Sequence, residues 1–184
     1  MVRLPFVLCI LAAFGGLSLS PDSADATRVR AMTTDQLVDR SALIVEGRVL
    51  SQQVIWDAER QRIYTDSVVL VSQTHLGVAP RSLTVRQIGG TLGQTTQKVA
   101  GVQPLPAGME VLLFLRTDGV RFYVTGLSQG RYRVAVKDGE RLLHRDSGGV
   151  TAVGKAPPQP PGLPLSVLTS QILTRATATG RISR

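Results

Sequence analysis

The chain has 184 residues, a formal net charge of +8, 4% aromatic residues, 18 glycines, 10 prolines and a single cysteine. That length suits one ordinary domain, and one cysteine excludes an intrachain disulfide and a thiolate-cluster metal site. Turn residues between short valine-rich runs favour an all-β domain over a helical one, and the basic excess draws such a protein to anionic surfaces.

Residues 1–26 read as a secretory signal peptide. Arg3 supplies the positive lead, Leu4 to Leu19 the apolar run, and Ala24-Asp25-Ala26 a small-x-small cleavage site before Thr27. The run is short for a membrane span. Cys9 lies inside it, with Phe6-Val7-Leu8 ahead of it rather than the small residues that lipid attachment needs. The expected location is therefore periplasmic or extracellular. Membrane contact is expected only through the uncleaved leader or weakly through the C-terminal helix.

After a short basic lead, Thr33 and Gln36 have the spacing of a capping box, with Met32 and Leu37 at the staple positions. A short helix burying Leu37 and Val38 is predicted. Ala42 to His75 then reads as one long β-hairpin around the charged turn Asp57 to Arg62. Its first strand alternates Leu43, Val45 and Val49 against Ile44, Glu46, Arg48 and Leu50, and Gly47 in mid-strand predicts a bulge or bend. Its second strand sets Thr65, Ser67, Val69 and Val71 against Tyr64, Asp66, Val68 and Leu70. A third strand covers Ser82 to Ile88.

Gly89 to Ala107 is the least regular part, and a loop of that length is expected to be a binding loop. Its candidate residues are Gly89, Gly90, Gly93 and Lys98. No Gly-Lys-Ser/Thr ending follows, so a nucleotide loop is not expected. Glu110 to Arg116 is apolar on both faces and predicts a central buried strand. Asp118-Gly119 turns the chain into Val120 to Leu127, with Phe122 and Val124 inward and Arg121, Tyr123 and Thr125 outward. Arg131 to Val136, a turn at Asp138-Gly139, and Glu140 to His144 complete six to eight strands, which suits a small barrel or sandwich.

The expected organisation is a barrel over 27–146, a Gly/Pro-rich linker over 147–164 and an amphipathic helix with tail over 165–184. In that helix Leu165, Leu168, Ile172 and Leu173 fall at helical spacing, and docking on the barrel is the first expectation.

No catalytic set, metal site or cofactor is expected. His75 and His144 have no third ligand nearby in sequence, although either could meet Asp66 or Glu46 in space. Arg116, Arg121, Tyr123, Arg131 and Arg133 fall on neighbouring predicted strands and would make a basic, aromatic-bearing face. The expected partner is a protein or an anionic cell-envelope component. A polyanion or nucleic-acid binder is the alternative, set back by the scarcity of aromatics for stacking. A hydrolase or metal enzyme is the third reading, and the oligomeric state stays open.

The order helix, ALIVEGRVL, polar hairpin, IYTDSVVLVSQTHLG, SLTVRQ, loop, EVLLFLR resembles the OB-like barrel of the netrin-module and tissue-inhibitor-of-metalloproteinase type, over Thr33 to Val136. Gly126 to Val134 (GLSQGRYRV) is similar to a segment of uncharacterised exported bacterial proteins. The resemblance implies a small, mainly β barrel that binds another protein by its loops. Those inhibitors act through an N-terminal cysteine and are tied by disulfides; a chain starting near Thr27 has neither, so that inhibitory wedge does not carry over.

Overall fold

A computed structural model describes residues 28–145, 151–153 and 162–182. The expected signal peptide lies outside these residues, as does most of the expected linker. Strand β1 (Arg28–Arg30) leads into helix α1 (Thr34–Arg40). The capping box forms as predicted: Thr33 Oγ1 accepts from the Gln36 amide at 3.2 Å and Gln36 Oε1 accepts from the Thr33 amide at 3.1 Å.

The long hairpin is β2 (Leu43–Trp56) with β3 (Ile63–Leu76). The register slips at Ile44/Val45, Glu46/Gly47 and Val49/Ser51. A Cβ on Gly47 would lie 2.4 Å from the Leu70 carbonyl oxygen, so only glycine fits that bend. Strand β4 (Ser82–Ile88) pairs with β3. The segment expected as an irregular loop holds a small hairpin of its own, β5 (Gly90–Leu92) and β6 (Thr95–Gln97). Strand β7 (Glu110–Thr117) then pairs with β2, and β8 (Phe122–Val124) pairs antiparallel with β7 and parallel with β4.

Those pairings close a five-stranded barrel in the order β7-β2-β3-β4-β8, a mainly β, OB-like architecture. Beyond a 3₁₀ turn at Leu127–Gly130, β9 (Arg131–Lys137) pairs with the first half of β7, and β10 (Glu140–His144) pairs with β9. Strand β11 (Thr151–Val153) lies parallel to β1, and β12 (Leu163–Pro164) pairs with β10 and leads into α2 (Leu165–Ala178).

Period-two burial in β7 feeds two apolar interiors. Val111, Leu113 and Leu115 point into the barrel with Val45, Val49 and Val85. Leu112 and Phe114 point the other way, into a second core with Leu37, Ile44 and α2. The expectation that this strand is buried on both faces holds, because one face meets the barrel lumen and the other meets helices.

The C-terminal helix docks. Leu165, Leu168, Ile172 and Ala176 are buried, and the Arg175 guanidinium pairs with both Asp39 carboxylate oxygens at 2.9 and 2.6 Å. Leu173 was expected on the apolar stripe but is 55% exposed, since it falls outside the i, i+3/i+4 row set by Leu165, Leu168 and Ile172. Among the described residues no helix is long and apolar enough to cross a membrane. Thr125 also departs from expectation. Strand β8 ends at Val124, and Thr125 turns inward, buried, with its hydroxyl 2.9 Å from Ser41 Oγ.

Candidate binding site

The barrel end at the close of β4 is roofed by residues 89–104, which leave a cavity of about 650 Å³ beneath. Gly89 and Gly90 have φ of +99° and +143°, values that suit glycine. They swing the chain off β4 and back across the hairpin β2–β3. A Cβ on Gly90 would lie 2.6 Å from Thr65 Oγ1 and 2.9 Å from Val54 Cγ1.

Side chains then fasten the roof. Thr65 Oγ1 donates to the Gly89 carbonyl at 2.7 Å, and Gln97 Oε1 accepts from the Ile63 amide at 2.6 Å. Gln87 Nε2 donates to the Gln103 carbonyl at 2.8 Å. The cavity wall is therefore rich in hydroxyl and amide groups, with Ile88, Val99 and Val102 as apolar patches. Among the described residues, Lys98, exposed at its edge, is the one charged side chain lining it. Gly89, Gly90 and Lys98 thus meet at one cavity. Gly93 does not: it sits at the exposed turn between β5 and β6, with nothing within 4 Å of a built Cβ.

On the outer barrel surface a row of polar side chains crosses β3, β4, β8 and β7. Arg86 pairs with Asp66 through two contacts of 2.6 and 2.5 Å, and its guanidinium lies 5.3 Å from the centre of the Tyr64 ring. Arg116 lies over Tyr123, 4.7 Å from that ring's centre. The Tyr123 hydroxyl donates to Asp118 Oδ2 at 2.8 Å, while Asp118 Oδ1 accepts from the Val120 and Arg121 amides. The backbone donors Arg121 and Val120, then Tyr123, pull the Asp118 carboxyl down to about 2. The same hydrogen bond, with partial burial, pushes the Tyr123 phenol above its ordinary value.

Between the two Arg–Tyr pairs lies a depression of about 220 Å³. It shares Gln87, Ile88 and Val102 with the cavity under the roof, so the two lie side by side along one stretch of the barrel surface.

The single basic face expected from sequence does not form. Arg116, Arg121 and Tyr123 gather around the Asp118 turn. Arg131 is buried, its Nη2 donating to the Pro104 carbonyl at 2.9 Å. The reason is register: Arg131 pairs with Leu113, whose side chain faces the barrel, whereas Tyr132 pairs with Leu112 on the helix side. Arg133 is exposed, but beside Arg48 and Glu110 in a separate cleft.

Comparison with known proteins finds no matching family model, no matching curated protein and no matching solved structure. Tyr64 and Arg86 were not singled out from sequence. Tyr64 stood on the correct face of its strand, but only the Asp66↔Arg86 register brings β4's arginine beside it.

A second polar cluster lies on the helix side. Glu46 is 2% exposed, with one carboxylate oxygen 2.6 Å from His75 Nε2 and the other 2.7 Å from Arg141 Nη2. His75 thus meets one of the two acids considered from sequence. Burial alone would raise the Glu46 carboxyl; the His75 hydrogen bond and the charges of Arg141 and His75 outweigh it and hold the group below its ordinary value. Glu46 thus bridges His75 and Arg141 through its two carboxylate oxygens. Among the described residues no group of three His, Cys, Asp or Glu side chains is placed to hold a metal.

Proposed function

We propose that this chain is an exported binding module that holds a protein or anionic cell-envelope partner in the groove under residues 89–104 and along the adjoining barrel face. The observation that carries the reading is that the 650 Å³ cavity adjoins the depression along the Arg–Tyr row, the two sharing Gln87, Ile88 and Val102. The cavity falls within the range of roughly 300–1,000 Å³ typical of ligand sites, with apolar patches and a few convergent polar groups. Barrels of this strand order commonly bind on the outer face of their second and third strands and through adjoining loops, which is an argument from analogy of fold. Export is supported by Arg3, the apolar run to Leu19 and Ala24-Asp25-Ala26. The resemblance to netrin-type barrels favours partner recognition by loops.

The test is retention of partners from periplasm or culture fluid on immobilised chain, with Lys98→Glu and Lys137→Glu compared in parallel. Both lysines are exposed, and only Lys98 lines the groove. A partner held by wild type and by Lys137→Glu but released by Lys98→Glu supports the site. A partner indifferent to Lys98, or none at any salt, removes it.

A further inference from the structure

Taking that groove as a binding site, we propose the chemistry of its partner: an acidic peptide segment that inserts one apolar side chain beside Tyr123 and pairs a neighbouring Asp or Glu carboxylate with Arg116.

The depression between the two Arg–Tyr pairs holds about 220 Å³, below the roughly 300–1,000 Å³ of sites that enclose a small molecule. It suits a side chain of something larger. Its apolar lining comes from Ile88, Val102, Val124 and Leu127. Leu127 is a leucine at φ +60° that keeps 39% of its surface exposed. A side-chain-bearing residue in that region carries backbone strain. Here the strained backbone carries an apolar side chain at the groove's rim.

The rim carries charges of both signs, and the cation left available is Arg116. Arg86 is committed to Asp66 by two short contacts. Arg116 is exposed and has no carboxylate partner among the described residues. Stacking on Tyr123 holds its guanidinium plane while the N–H donors along its edge stay open, which suits a two-point grip on a carboxylate. Because the stack orients the fork beforehand, less side-chain freedom is lost on binding.

The combination selects among anionic ligands. A structureless polyanion makes no use of the apolar lining. Single-stranded nucleic acid wants open aromatic faces for its bases, and here each tyrosine ring already has a guanidinium over it. An apolar residue flanked by acid satisfies both halves of the site.

The experiment is selection from a library of random short displayed peptides on the full chain, wild type and Arg116→Gln, followed by amide-shift mapping of a selected peptide. Arg116 is exposed, so the change leaves the fold intact. The wild-type pool should be rich in Leu, Ile, Met or Phe next to Asp or Glu. Arg116→Gln should keep the apolar preference, lose the acidic one, and bind an acidic peptide about tenfold more weakly. Shifts should fall on Ile88, Val102 and Leu127. A pool with no acidic preference, or the same preference in Arg116→Gln, overturns this proposal but leaves the groove standing if the shifts lie within residues 87–104. No selected peptide, or shifts elsewhere, defeats both readings. Tighter binding of oligo-deoxythymidine than of any selected peptide would assign the face to nucleic acid instead.

Discussion

Glu46 and His75 face each other across β2 and β3, and their 2.6 Å contact is closed from outside by Arg141 of β10. Three strands are thereby joined through one buried carboxylate. Replacing that carboxylate by an amide, Glu46→Gln, leaves His75 and Arg141 without their acceptor charge and should cost about 1–3 kcal/mol, read as a lower urea midpoint. The pH dependence has a definite sign. The folded carboxyl titrates below its ordinary 4.5, so the unfolded chain binds the proton more readily. The Glu46 contribution is complete above about pH 4.5 and is lost as pH falls through the lowered folded value. The gap in stability between wild type and Glu46→Gln should narrow over that acid range; a constant gap would deny the ionic role.

Gly47 lies one residue further on, at a register slip where β2 bends. Alanine there would set its Cβ 2.4 Å from the Leu70 carbonyl oxygen and 2.8 Å from Val69 Cγ1. The oxygen belongs to the backbone and has little room to yield. Gly47→Ala should therefore destabilise the barrel by about 1–3 kcal/mol, as overpacked sites do. Equilibrium denaturation measures it, and a neutral result would mean that the bend is not fixed by this contact.

The bend, the capping box and the doubly buried β7 were legible because each is a local matter: one glycine among β-branched residues, one polar pair three apart, one unbroken apolar run. What failed depended on long-range pairing. Whether Arg131 or Tyr132 faces the barrel turns on which residue opposes Leu113, and a shift of one residue exchanges the two faces. Arg86 joins Tyr64 for a similar reason, through the pairing of β4 with β3. The roof over the cavity looked structureless because its two strands are only three residues each and the rest of its order comes from Gln87, Gln97 and Thr65 side chains bonding to backbone, which leaves no periodic signature.

The docking of α2 has a simple mutational signature. Leu168 and Ile172 are fully buried in the core that also takes in Leu37 of α1 and Leu112 and Phe114 of β7, whereas Leu173 is exposed. Leu168→Ala or Ile172→Ala should each cost about 2–5 kcal/mol. Leu173→Ala should stay within about 0.5 kcal/mol. Equal effects from all three in thermal or urea unfolding would mean that the helix packs by another face.

The turn that carries the groove's aromatic rim can be titrated directly. Asp118 is fully ionised at ordinary pH, because the Arg121 and Val120 amides and then the Tyr123 hydroxyl bring its carboxyl to about 2. The Val120 and Arg121 amide resonances should move with a midpoint near 2 rather than near 3.8. Since the folded value lies below the unfolded one, the turn's contribution is full above about pH 3.8 and fades as pH falls toward 2. At the other end of the scale, Tyr123 ionises above its ordinary value because it donates to that carboxylate and is partly buried. Asp118→Ala removes both the acceptor and the repelling charge, leaving Arg121 and Arg86 to favour the phenolate, so Tyr123 should ionise at a lower pH. Ultraviolet titration, with Tyr123→Phe to assign the transition, reads the change. A phenol that titrates alike in both chains would mean that Asp118 does not hold the ring on which Arg116 stacks, and the rim would then lose the rigidity that makes its guanidinium a prepared site.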